Sequence, residues 1–205
     1  MVRKILVYIE GDTKKGNAAA VTLREGFSVF FQTLADKIRV PVKPVMCGAR
    51  ETAIRLFLAN LDADSEGFIV LLVDSESAVG AGETPKDFLR KISPKFDFRK
   101  VGDDQCHLMV ELMESWFLAD RKALAGFFGP GFNPKALPQN KNVEQIPKTD
   151  VLAGLKNATR KTAKKEYGKG AHSGEILRQI DSAKVRRAAP HCEKLFEAIE
   201  KKAGE

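Results

Sequence analysis

The first apolar run, Lys4 to Ile9 (KILVYI), stops at Glu10 and Gly11. Short and apolar almost throughout, it predicts a buried strand of a parallel sheet. The period then changes. Leu23, Phe27, Phe30, Phe31, Leu34 and Ile38 recur at helical spacing and form one apolar stripe. Val40 to Met46 (VPVKPVM) predicts a second strand, which its two prolines confine to a sheet edge. Ala49 to Leu61 returns to the helical period through Ile54, Phe57, Leu58 and Leu61. The clearest strand is Phe68 to Val73 (FIVLLV), which halts at Asp74-Ser75-Glu76.

From Ala78 to Lys100 the glycine and proline content rises, which predicts a loop with one short helix near Pro85 to Lys91. Cys106 to Val110 (CHLMV) is the fourth strand. A helix begins around Met113, Trp116 and Phe117, and Asp120 reads as the N-cap of a further segment that ends at Gly129. Pro130 to Pro147 is loop-like. The tail offers three helical patterns, Asp150 to Ala158, Ser173 to Ile180 and Pro190 to Lys202, the last with Pro190 suited to a first turn. Strands alternating with helices predict an α/β fold with a mostly parallel sheet flanked by helices, whose binding crevice lies at the carboxyl ends of the strands. The expected division is an α/β core over residues 1–130 and a basic, mainly helical extension over 131–205 packed on it.

With 205 residues, 43% of them hydrophobic, the chain is long enough to bury a sizeable core. It has no apolar run of about 18 residues and no signal peptide, which predicts a cytoplasmic protein without a membrane span. Cys47, Cys106 and Cys192 are odd in number and scattered, which argues against a disulfide framework or a cysteine zinc site. The net charge of +7 is unevenly spread: from Val151 onward 13 Lys and Arg face 7 Asp and Glu, so the tail holds six of the seven excess charges. Lys156, Arg160, Lys161, Lys164, Lys165 and Lys169 face a single Glu166 in that stretch, which suits a polyanionic partner and equally a solvated surface.

The segment after the first strand, YIEGDTKKGN, has Gly11 and Gly16 at phosphate-loop spacing. A phosphate loop needs Lys and then Ser or Thr after the second glycine; here Asn17 and Ala18 follow, so both functional groups are missing. The informative residue is Glu10. Three predicted strands deliver acids to one sheet edge: Glu10 after the first, Asp74 and Glu76 after the third, Glu111 and Glu114 after the fourth. Side chains two apart on an extended strand share a side, which groups Asp74 with Glu76. Crowded carboxylates repel unless a cation neutralises them, and magnesium, which takes one or two carboxylates plus phosphate oxygens, is the natural one. Taken singly, any of these acids reads as well as a cap or a solvated loop residue. His107 reads as a hydrogen-bonded core histidine and Trp116 as core.

The stretches EG at Glu10, CGAR at Cys47 to Arg50, LLVDSE, DDQCHLMVELMESWFLAD, ALPQNKNVEQIPK and KKEYGKGAHSGEIL together resemble TOPRIM-like bacterial proteins grouped as a domain of unknown function, similar to the TOPRIM nuclease domains of the overcoming-lysogenisation-defect type. That resemblance implies a compact α/β fold in which Glu10 serves as general acid or base, Asp74 and Glu76 stand at the positions of a metal-binding DxD with Glu76 one methylene longer than the usual aspartate, and Glu114 is auxiliary. Two readings follow. The first is a magnesium- or manganese-dependent nuclease or related phosphoryl-transfer enzyme, acting on nucleic acid in phage defence. Its metal is held by Glu10, Asp74 and Glu76, and neighbouring phosphates meet Arg50, Lys165, Lys169 and His172. The second is a non-catalytic module that uses the same pocket to bind a nucleotide or a protein partner, such as an ATPase, in a defence assembly.

Overall fold

The first predicted strand forms over the expected residues: β1 is Lys4–Ile9, in a computed structural model that describes residues 2–11, 17–61 and 67–205. Its neighbours are β2 (Val42–Met46) and β3 (Gly67–Asp74), and β3 carries β4 (Cys106–Met109) on its far side. The order is β2-β1-β3-β4 and every pairing is parallel. Register brings the carboxyl ends together, with Ile9 opposite both Met46 and Leu72, and Asp74 opposite Met109. Pro44 sits in β2 on the outer edge, where its missing N–H costs no ladder bond. The Gly11 to Gly16 loop falls largely outside the described residues.

Helices cover both faces. The stripe from Leu23 to Ile38 is two helices, α1 (Asn17–Phe30) and α2 (Gln32–Ile38), which break at the buried Phe31. α3 (Arg50–Ala59) precedes β3, and α4 (Pro85–Ile92) starts where the Thr84 hydroxyl accepts from the Asp87 amide. A one-turn α5 (Glu114–Phe117) leads to α6 (Arg121–Phe128), capped by the Asp120 carboxylate on the Ala123 amide and closed by Gly129 at φ 68°. The tail contributes α7 (Lys148–Thr159), α8 (Lys169–Leu177), α9 (Ser182–Ala188) and α10 (Pro190–Gly204). α9 escaped the sequence pattern because it has a single large buried apolar side chain, Val185.

Strand alternation divides the core. Ile5, Val7, Ile9, Val70 and Leu72 face α1, α2, α5 and the tail helices, whereas Tyr8, Leu71, Val73 and Leu108 face α3 and α4. On the larger side Trp116 stacks on Phe30 with ring centroids 5.1 Å apart, and Phe27, Phe31 and Phe196 close around the pair. Each such ring, fully buried, stabilises the fold by roughly 2–3 kcal/mol. The three cysteines are buried and unpaired by disulfides. Among the described residues no helix is long and apolar enough to cross a membrane.

One contact positions the site. α8 crosses α1 so closely that a Cβ on Gly174 would lie 2.5 Å from the backbone of Thr22, and one on Gly26 would lie 2.6 Å from the Gly174 carbonyl oxygen. Only hydrogen at both positions permits this approach, and it carries the first residue of α8, Lys169, to the carboxyl edge of the sheet.

Candidate acidic site

Glu10 follows β1 directly. Its Oε2 accepts from the Asp74 amide at 3.2 Å and from Arg50 Nε at 3.4 Å. The CGAR stretch explains the second contact: the Cys47 amide donates to the Ile9 carbonyl, Gly48 turns at φ 76° while accepting from the Gly11 amide, and the chain enters α3 with Arg50 facing Glu10. Burial raises the pKa of Glu10, and Arg50 pulls against that rise.

Asp74 ends β3, is 4% exposed, and accepts from the Met113 amide at 2.8 Å through Oδ1. Its Oδ2 lies 3.5 Å from Lys169 Nζ. Burial pushes its pKa from 3.8 to about 7. The Lys169 ammonium lowers it, while Glu114 and Glu10 raise it further. Burial, joined by the two neighbouring carboxylates, therefore outweighs the ion pair.

Glu114 opens α5 and is fully buried. Tyr167 donates its phenolic proton to Oε1 at 3.0 Å and lies 3.0 Å from Ser173 Oγ, which itself donates to the Lys169 carbonyl. Oε2 has no hydrogen-bond partner among the described residues; it sits 3.5 Å from Lys169 Nζ, an ion pair without a hydrogen bond. One ammonium thus stands equidistant from Asp74 and Glu114. Burial alone would lower the pKa of Lys169, but those two carboxylates raise it above the usual lysine value.

Glu76 departs from strand alternation. β3 has ended, and Glu76 takes a left-handed φ of 63°, donating its amide to the Glu111 carbonyl. Its carboxylate meets Arg50 Nη2 at 3.8 Å and Lys148 Nζ at 2.8 Å, so that Arg50 bridges Glu76 and Glu10. The backbone at Glu76 is not extended, so strand alternation does not group it with Asp74, and the two carboxylates have different partners. Glu111 caps α7, with Oε2 accepting from the Lys148 amide at 3.0 Å.

His172 is spent inside the tail: Nδ1 accepts from the Gly168 amide, and the ring packs among Phe127, Phe128 and Tyr167. Burial lowers its pKa. Lys165 is solvent-exposed at φ 66°. His107 is a buried core residue whose Nε2 meets the Asp104 carbonyl at 2.9 Å, and burial brings its pKa down to about 4. Sequence reasoning missed Tyr167, Ser173 and Lys148 as site residues, although all three lie in the stretches singled out for resemblance.

Among the described residues no three His, Cys, Asp or Glu side chains already surround a metal position. The donor set nevertheless fits a hard dication. Two carboxylate oxygens, one of them a buried atom lacking a hydrogen bond, point at one cation position, and the ammonium that fills it belongs to a side chain 45% exposed and able to withdraw.

The fold and site define a class: a Rossmannoid α/β protein with an acidic crevice at the carboxyl edge of a parallel sheet, closed by a lysine from a C-terminal helix. Residues 9–200 match the family described as "Domain of unknown function (DUF4276)", and the chain belongs to that family. No curated protein and no solved structure matches the chain.

Proposed function

We propose that the protein is a divalent-cation-dependent phosphoryl-transfer enzyme of TOPRIM kinship, a nuclease acting on DNA or RNA in phage defence. The observation that carries this reading is the meeting of Asp74, at the end of β3, and Glu114, at the start of α5, on one cation position beside Glu10. Asp74 and Glu114 would hold magnesium or manganese, with Glu10 beside them. Such an ion, when bound, supplies charge stabilisation at a phosphoryl oxygen. The chain's own residues do the rest. Glu10, its pKa raised by burial, is suited to carry a proton to or from the reacting oxygen. Lys169, once withdrawn from the carboxylates, and Arg50 would meet phosphate oxygens, and Lys165 extends that surface. Glu10 and Glu76 hold Arg50 in place, and Lys148 pairs with Glu76.

The test is incubation of purified protein with DNA and with RNA in magnesium or manganese, beside Asp74→Ala. Metal-dependent cleavage that falls at least about 100-fold in the variant supports the reading; equal cleavage by both, or none by either, refutes it.

One observation favours a second reading. Lys169 already pairs with both Asp74 and Glu114, so the cation position is taken up without a metal. A non-catalytic module that binds a nucleotide or a protein partner such as an ATPase fits that arrangement. Calorimetry separates the two: saturable magnesium or manganese binding that weakens in Asp74→Ala selects the enzyme, and its absence selects the module.

A further inference from the structure

The loop between α7 and α8 places four cations in six positions: Arg160, Lys161, Lys164 and Lys165. All four are exposed, and none has a carboxylate partner among the described residues. Glu166, the one acid of the stretch, is spent on Lys156 at 3.7 Å. Several exposed cations elsewhere have acids of their own, as Lys91 has Glu83, Lys95 has Glu51 and Arg99 has Asp97. A surface that serves solubility alone intersperses the two signs; this loop does not.

The backbone beneath these cations is tied down. Thr159 Oγ1 accepts from the Tyr167 amide at 2.7 Å and closes the loop at its base. Inside it the Lys165 amide donates to the Thr162 carbonyl at 3.0 Å, and the buried Thr162 hydroxyl donates to the Lys165 carbonyl at 3.3 Å, which holds Lys165 at its left-handed φ of 66°. Gly131 packs against the Lys161 carbonyl so closely that no Cβ would fit between them. Lys164 Nζ lies 4.7 Å from the centre of the half-buried Phe127 ring. The loop therefore keeps its charges grouped without a counter-ion, and an anion would relieve their repulsion at little further cost in ordering. The chain then runs through Tyr167, bonded to Glu114, into Lys169, paired with Asp74. Lys165 and Lys169 are four residues apart, so their backbones are separated by no more than about 14 Å.

A fixed row of unpaired cations matches a chain of regularly repeated negative charges. We propose that residues 160–165 form a phosphate track for the backbone of a nucleic-acid strand and hold that strand in line with the acidic site. The alignment with the site rests on the nuclease reading above; the binding itself does not. Phosphate contacts position a strand without reading its bases, so the track is indifferent to sequence.

The experiment is fluorescence anisotropy of the full chain in chelator, with a labelled oligonucleotide as single strand and as duplex, over a range of salt. Four phosphate contacts should give a slope of log affinity against log salt of about −3 or steeper. The triple variant Arg160→Gln/Lys161→Gln/Lys164→Gln should lose about 2 to 3 from that slope, and should do so equally on unrelated sequences. Its substitutions are all exposed, and an unchanged denaturant midpoint shows that it is folded. Arg55→Gln removes an exposed cation from α3, on the other face of the sheet, and should keep the parent slope. Whichever of single strand and duplex binds more tightly is the form the track holds, and equal binding assigns the contact to one backbone of either. Absence of binding, a slope unchanged in the triple variant, an equal loss in Arg55→Gln, or equally tight binding of poly-glutamate overturns the proposal. Because no metal is present, the result is separate from the cleavage assay. Binding with the expected slope but no cleavage refutes the nuclease reading and leaves the track; cleavage with a slope that ignores the tail variants does the reverse.

Discussion

Asp74 and Lys169 are separated by 95 positions in the chain, yet the Lys169 ammonium lies 3.5 Å from the Asp74 carboxylate and equally far from Glu114. That ammonium occupies the position between the two carboxylates that a cation would take.

Competition between the two cations follows. Lys169→Met removes the resident charge while keeping a chain of similar length, so manganese affinity, measured by calorimetry, should rise about tenfold or more, because the metal no longer displaces an ion pair. Cleavage should fall in the same variant, since the group that would meet phosphate is gone. Unchanged metal affinity would show that Lys169 does not occupy the ion's position.

Asp74 also predicts a pH dependence, whose sign follows from its raised pKa. Below about pH 4 the carboxyl is protonated in both folded and unfolded chains and costs nothing. Between about 4 and 7 the unfolded chain ionises first, so the wild-type protein loses stability as pH rises, and above 7 the loss is constant. Asp74→Asn cannot ionise and escapes the penalty. Denaturant midpoints from pH 4 to pH 8 should show the variant gaining on wild type by roughly 2–4 kcal/mol. A flat difference would mean that Lys169 fully compensates the buried charge.

Tyr167→Phe deletes the donor to Glu114 Oε1 and leaves a buried carboxylate with neither oxygen hydrogen-bonded by a side chain. The expected cost is about 1–3 kcal/mol in thermal or chemical unfolding. Because Glu114 is then held less firmly, metal affinity should fall as well. A loss of stability with metal affinity intact would confine Tyr167 to a structural role.

The crossing of α1 and α8 predicts a larger effect from a smaller change. Gly174→Ala places a methyl 2.5 Å from rigid backbone of Thr22, so the helices must separate. Destabilisation of about 2–3 kcal/mol or more is expected. Lys169, at the start of the same helix, should lose its register with Asp74, seen as a changed response of the Lys169 amine signal to Asp74→Asn.

Local pattern was enough to reveal the four strands, because an apolar run that ends abruptly at Glu10 or at Asp74 has no other way to bury both faces, and parallel register then follows from the intervening helices. The same reasoning identified Glu10, Asp74 and Glu114 as neighbours. It could not see the turn at Glu76, since the left-handed φ there is set by pairing of its amide with Glu111 after the strand has ended, and alternation holds only while the backbone stays extended. Nor could it tell which of Lys165 and Lys169, grouped as phosphate contacts, turns inward, or withdraw His172 from the surface. Charge is legible in composition, but which lysine turns inward depends on two glycines letting α8 close onto α1, a contact between segments about 150 residues apart that no local periodicity records.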